Sequence, residues 1–131
     1  KLGYTANAPA QATAQGTSAV IALLVADIAE LDLPAMGVAE PFDLIVCAGN
    51  VVTFLAPGTE VEVLRRFRAH LAPGGRAVVG FGAGRGYAFD AFFADAAEAG
   101  LEVQLKLSTW DLRPFTEGGD FLVAVLGAPQ A

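Results

Sequence analysis

The chain has 131 residues, with eight Lys and Arg against 14 Asp and Glu, for a net charge of −6. That length allows one domain at most. The acidic balance does not favour the concentrated basic surface that a nucleic-acid backbone demands, and the densest basic cluster, Arg65, Arg66 and Arg68, reads as a solvated helix face. At 54% hydrophobic and 17% charged residues, the chain has enough apolar material for a sizeable core, which argues against disorder.

No apolar run reaches the ~20 residues of a membrane helix; the longest, 19–26, stops at Asp27. No membrane partner is therefore expected. Cys47 is the only cysteine, so no internal disulfide can form, and a cytoplasmic setting fits. Lys1 and the polar stretch after it are not a convincing signal peptide. Without an initiator Met, the chain reads as a processed or excised piece.

Residues 1–18 are rich in Ala, Gln, Thr and Gly, carry Pro9 and show no apolar period. They read as a flexible arm, leaving 19–131 as the domain. The run AVIALLVA (19–26) has the length of a buried strand, but Ala and Leu also favour helix, and the pattern leaves both open. Pro34, Gly37 and Pro41 make 33–41 a loop. FDLIVCAGN (42–50) is continuously apolar at its center, as in a parallel strand buried on both faces. Thr59 and Glu62 have capping-box spacing for a helix. Val61, Leu64, Phe67 and Leu71 would form its apolar face, and Pro73-Gly74-Gly75 would end it. A short strand at 76–81 follows, then a glycine-rich loop at 82–86. A second helix near 87–99 has Phe89, Phe92, Phe93, Ala96 and Ala97 as its stripe. Residues 101–107 alternate apolar and polar, as in a half-buried strand, and 121–126 form the last strand. Strands alternating with helices, then two consecutive strands, predict an α/β domain with a terminal antiparallel pair.

VADIAEL, FDLIVCAGNVVTFL, LRRFRAHLAPGGRAVVGF and the closing AEAGLEV, WDLRPF and FLVAVL resemble, in that order, the second half of class I S-adenosylmethionine-dependent methyltransferases. The specific part is the strand at Phe42, the helix ending Leu71-Ala-Pro-Gly-Gly75, and the strand at Arg76. The resemblance implies a three-layer Rossmann-like sheet, here incomplete, and methyl transfer from S-adenosylmethionine to a small-molecule acceptor. It assigns Asp27 to the adenine amino group, with the Ile28 backbone N–H beside it; a carboxylate only accepts hydrogen bonds, and the exocyclic amine donates them. It places Cys47, Ala48, Gly49 and Asn50 at the carboxyl end of a strand, where open α/β sheets bind ligands. Gly49 would let the backbone approach closely, and Asn50 would offer a donor and an acceptor. Phe54 and Leu55 would cover the adenine or wall the substrate pocket, or else pack in the core.

The departure from the family is the missing acidic-x-Gly-x-Gly-x-Gly segment upstream of Asp27. The resemblance pairs the first strand with the one at Phe42, so its loss would bare a hydrophobic edge. The arm and the 19–26 run could substitute, two chains could pair edge to edge as a homodimer, or a front half has been lost. The last is the expectation, and it implies weak or no cofactor binding by the isolated chain. The alternative function is a non-catalytic remnant used in self-association or partner binding.

Gly82, Gly84 and Gly86 mimic a phosphate-binding turn, but the third glycine comes one position early and no acidic residue stands in the strand before it. As a loop at the rim, the segment would bring Arg85 and Tyr87 to the substrate. His70, in the last turn of a helix, reads as structural, and one His with one Cys makes no zinc site. Cys47 reads as a small buried hydrophobe. Trp110-Asp111-Leu112-Arg113 reads equally as a substrate wall or as a loop pinned by an Asp–Arg pair. Catalytic residues are not legible, because methyl transfer relies largely on alignment of the acceptor with the sulfonium methyl.

Overall fold

The computed structural model describes residues 3–14 and 17–129, with side chains from Ile28 onward. Strand β1 (Gly3–Ala14) pairs antiparallel with β2 (Thr17–Asp27) in a two-stranded sheet of their own. The ambiguous 19–26 run is thus strand, and the expected arm contributes β1 and the start of β2. Strand β3 (Phe42–Cys47) begins a separate four-stranded sheet with β4 (Leu71–Gly82), β5 (Glu102–Leu107) and β6 (Phe121–Gly127), in the order β3-β4-β6-β5. β3 and β4 run parallel, and β6 lies antiparallel to both β4 and β5. The parallel pair and the antiparallel close follow the sequence pattern. β2 does not join this sheet, so β3 is an edge strand within it.

Helix α1 (Glu60–His70) connects β3 to β4, and α2 (Phe89–Glu98) connects β4 to β5. Val63, Leu64 and Phe67 of α1 and Phe92 and Ala96 of α2 share one buried cluster with Cys47, Ala77, Val79, Phe81, Leu122, Ala124 and Leu126 of the sheet. Both helices therefore cover the same face. α1 ends at His70, before Pro73, because a proline pushes the residue ahead of it toward extended backbone; Leu71 already has φ −85° and ψ 136°. The chain between Leu71 and Arg76 then bulges while pairing with β3. Gly75 is required there by space: a Cβ would lie 2.8 Å from the Phe42 carbonyl oxygen and 2.9 Å from that of Ala72.

The expected capping box does not form. Thr59 Oγ1 donates to the Ala56 carbonyl at 2.6 Å, and Glu60 accepts from the Gly58 N–H at 2.8 Å. Glu62 faces Arg66 at 3.1 Å and Arg65 at 3.6 Å. Thr59 has φ −102° and ψ 0°, away from the extended backbone that a side-chain N-cap uses.

The opposite face of the sheet is largely bare. Register places Val46, Val78, Val125 and Leu105 in one row across all four strands. At the ends of that row, Val46 is 52% and Leu105 50% exposed. The neighbouring row, Gly80, Val123 and Leu107, is buried. Trp110 from the β5–β6 connection lies over Gly80, where its ring occupies the place of a Cβ. Strand β5 also departs from simple alternation: a register shift between Val103 and Leu105 turns Leu105 onto the bare face.

Candidate functional site

The carboxyl ends of the parallel strands β3 and β4 form one rim of the sheet, the place where open α/β sheets receive ligands. β3 leads into Gly49 and Asn50, both left-handed, at φ 76° and 61°. Glycine adopts this conformation freely, and asparagine is among the few others that tolerate it. A Cβ on Gly49 would meet nothing within 4 Å, so the backbone there is open to approach. Ala48 and Gly49 are exposed.

Asn50 is held from three directions. Its Oδ1 accepts the Gly82 N–H at 2.7 Å, tying the end of β3 to the end of β4. Its carbonyl accepts the Thr53 hydroxyl at 2.7 Å and the Thr53 N–H at 2.9 Å. With Oδ1 committed inward, the amide Nδ2 is the end of the side chain left to a ligand. Phe54, just beyond, is 57% exposed, whereas Leu55 packs against the core.

Cys47 shares the rim through its backbone only. Its side chain is buried in the core cluster, and burial pushes the thiol pKa up to about 12 despite an opposing backbone hydrogen bond from Val52. It is a protonated, inert filler at neutral pH. The folded state keeps this proton where the unfolded chain has released it. The stability it contributes is therefore full below the ordinary thiol range and drains as pH climbs from there toward about 12. A urea-unfolding series between pH 8 and 11 should show this decline reduced in Cys47→Ala, and a thiol reagent at neutral pH should label Cys47 only as fast as the protein unfolds.

Ile28, the other end of the expected site, is buried in the same cluster as Cys47 and Val52. It opens a 3-10 turn, Ile28–Glu30, directly after β2. Arg66 of α1 fixes this turn, donating to the carbonyls of Ala29 at 3.1 Å and Leu31 at 3.4 Å. His70 continues the clamp. Its Nε2 accepts the Leu33 N–H at 3.0 Å, so Nδ1 carries the proton it donates to the Arg66 carbonyl at 2.6 Å. His70 is structural, as expected. The role expected of Asp27 concerns a side chain outside the described residues.

The glycine loop after β4 lies at the same rim as Asn50. Tyr87 turns inward: its ring stacks on Phe81 at 5.5 Å and its hydroxyl donates to Asp95 at 2.6 Å. Desolvation, followed by this carboxylate, raises its pKa. Arg85 stays exposed and lies against Gly82: its Nε is 3.5 Å from the place a Cβ would take there, and Asn50 Oδ1 is 3.6 Å from it. In the β5–β6 connection, Asp111 and Arg113 do pair at 3.4 Å; both are largely exposed, so the pair stabilises little. An open cleft of about 500 Å³ lies between the carboxyl ends of α1 and α2, lined by Arg65, Arg68, Glu98 and Gly100. Those ends precede β4 and β5, so the cleft is on the far side of the sheet from the Asn50 rim.

The sequence matches no protein-family model and no curated protein. Solved structures do match. A TehB-like S-adenosylmethionine-dependent methyltransferase from Corynebacterium glutamicum is 42% identical with a TM-score of 0.73, over 81% of this chain and 55% of its own. The CcbJ methyltransferase from Streptomyces caelestis is 16% identical with a TM-score of 0.71, over 84% and 69%. The glycopeptide N-methyltransferase MtfA, solved with S-adenosyl-L-methionine, is 11% identical with a TM-score of 0.63, over 81% and 64%. The last two likenesses bear on fold alone. The chain spans little more than half the length of the Corynebacterium protein. The strand order, the helices on one face and these matches give the chain part of the class I, Rossmann-like S-adenosylmethionine-dependent methyltransferase fold.

Proposed function

We propose that the chain works in methyl transfer from S-adenosylmethionine to a small-molecule acceptor, and that its Asn50 rim is one wall of the cofactor bed. The observation that carries this is the lock between Asn50 Oδ1 and the Gly82 N–H. It fixes the tips of both parallel strands and leaves Gly49 open and Asn50 Nδ2 free to donate. The residues fit such a ligand: an unobstructed glycine and an exposed aromatic ring at Phe54. The cofactor supplies an electrophilic sulfonium methyl. The chain's part is to hold the acceptor in line with it, where positioning carries much of the rate. Asp27 would accept from the adenine amine, and Arg66 would steady it by fixing the turn that follows.

The bare row of Val46, Val78, Val125 and Leu105, together with the free edge of β3, supports a site completed by further polypeptide. The same edge favours a second reading, a non-catalytic module that self-associates, since unpaired apolar strand edges recruit other strands.

Calorimetric titration with S-adenosylhomocysteine, combined with light scattering, separates the two. The catalytic reading expects saturable binding, weak in the isolated chain, that Asp27→Ala weakens about tenfold, the equivalent of ~1.4 kcal/mol. No binding together with a concentration-dependent dimer would favour the module.

A further inference from the structure

We infer that Arg85 and Asn50 together hold an anionic group, a carboxylate or phosphate, on the methyl acceptor. The inference rests on the methyl-transfer reading and names the acceptor class for that same rim. Arg85 is the cation of the glycine loop at this end of the sheet; Arg113, in the β5–β6 connection at the same end, is paired with Asp111. Arg85 Nε lies over Gly82, whose N–H is held by Asn50 Oδ1 at 2.7 Å. With that oxygen on the Gly82 N–H, Asn50 has its two Nδ2 hydrogens left to donate, and Arg85 Nε and Asn50 Oδ1 lie 3.5 and 3.6 Å from one point over Gly82. The guanidinium and the amide NH2 are donors only, and the two oxygens beside them, Asn50 Oδ1 and the Asp120 carbonyl, already accept from the Gly82 and Ala83 N–H groups. A planar guanidinium beside an amide suits an oxyanion with two or more oxygens.

The local backbone keeps this pair in place. Gly82 is buried and has no side chain to push Arg85 away. Gly84 and Gly86, at φ 74° and 90°, turn the loop on either side of Arg85. The other arginines with close carboxylates are engaged elsewhere: Arg65 and Arg66 with Glu62, and Arg113 with Asp111. Among the described residues, no carboxylate lies within ion-pair distance of Arg85. Its charge is thus available to an incoming ligand.

The test follows the side-chain ¹⁵N resonances of Arg85 Nε and Asn50 Nδ2 in the intact chain. Sodium acetate and sodium phosphate are titrated in parallel at ionic strength held constant with chloride. The expected result is saturable shifts at both groups with one or both anions, the stronger arm naming carboxylate or phosphate. Arg85→Gln should weaken the response at Asn50 Nδ2 about tenfold. Asn50→Asp, which keeps the acceptor for Gly82 but puts a negative charge at the rim, should weaken the response at Arg85 similarly. Equal shifts at Arg65, Arg68, Arg76 and Arg113, or a response at Asn50 unchanged in Arg85→Gln, would overturn the inference. A parallel titration with S-adenosylhomocysteine in the same variants keeps the two ideas apart: Arg85→Gln should leave it unchanged, and its failure in the wild type counts against the methyl-transfer reading rather than the anion site.

Discussion

Replacing Phe81 with alanine is expected to destabilise the fold by about 3–5 kcal/mol, the range for deleting a fully buried phenylalanine. Phe81 is wholly inaccessible near the end of β4, and its ring is met on several sides, by Tyr87 at 5.5 Å and by Phe89 and Phe92 at 5.2 Å each. Removing it opens a cavity between the central strand and α2, and it strips stacking from Tyr87, which anchors the glycine loop. Urea unfolding followed by far-UV circular dichroism measures the loss. Phe54→Ala is the matched control: its ring is mostly exposed, and the cost should stay within ~0.5 kcal/mol, as for surface substitutions generally. Similar losses at the two positions would contradict the assignment of core and rim.

The second large effect is expected at Asn50. Asn50→Val should cost about 2–5 kcal/mol, because two penalties add. A β-branched residue held at φ 61° pays ~1–2 kcal/mol or more for left-handed backbone. The Gly82 N–H then loses its acceptor, worth ~1–3 kcal/mol when a partly buried donor is left unpaired. Two further substitutions separate these terms. Asn50→Gly accepts the backbone conformation and loses only the side-chain bond. Asn50→Asp keeps an acceptor for Gly82 and should remain near wild-type stability while losing both Nδ2 donors. A ranking of Val worst, Gly intermediate and Asp mildest is the expected outcome of thermal or urea unfolding. Asp as damaging as Val would mean the Gly82 bond does not hold the rim.

Most of the fold was legible because the signals were periodic. The apolar center of β3, the stripe of α2 and the two closing strands each carry a repeat that a sheet or helix imposes. What failed were the details settled by competing local bonds. Thr59 and Glu62 have capping-box spacing, yet Ala56 captures the threonine hydroxyl and Arg65 and Arg66 draw the glutamate away. The alternation of 101–107 is real, but one register shift sends Leu105 outward.

The site was legible in part. The glycine–asparagine turn marked the tip of β3, and the resemblance gave it a ligand. Cys47 was included at that tip, but its side chain belongs to the core. Three features had no readable signal, because each joins residues far apart in the chain: the Gly82 bond to Asn50, the Leu33–His70–Arg66 clamp, and Trp110 laid over Gly80. Only the presence of a glycine at position 80, inside an otherwise apolar strand, hints that something approaches closely there.

In the proposed function, the joined tips of β3 and β4 receive the sulfonium donor. Amide shift mapping with millimolar S-adenosylhomocysteine reads this directly, since it detects even weak occupancy. Perturbations centered on Ala48, Gly49, Asn50 and Gly82 are the predicted result. Perturbations centered on Arg65, Arg68 and Gly100 in the cleft on the far side, or none anywhere, would contradict it.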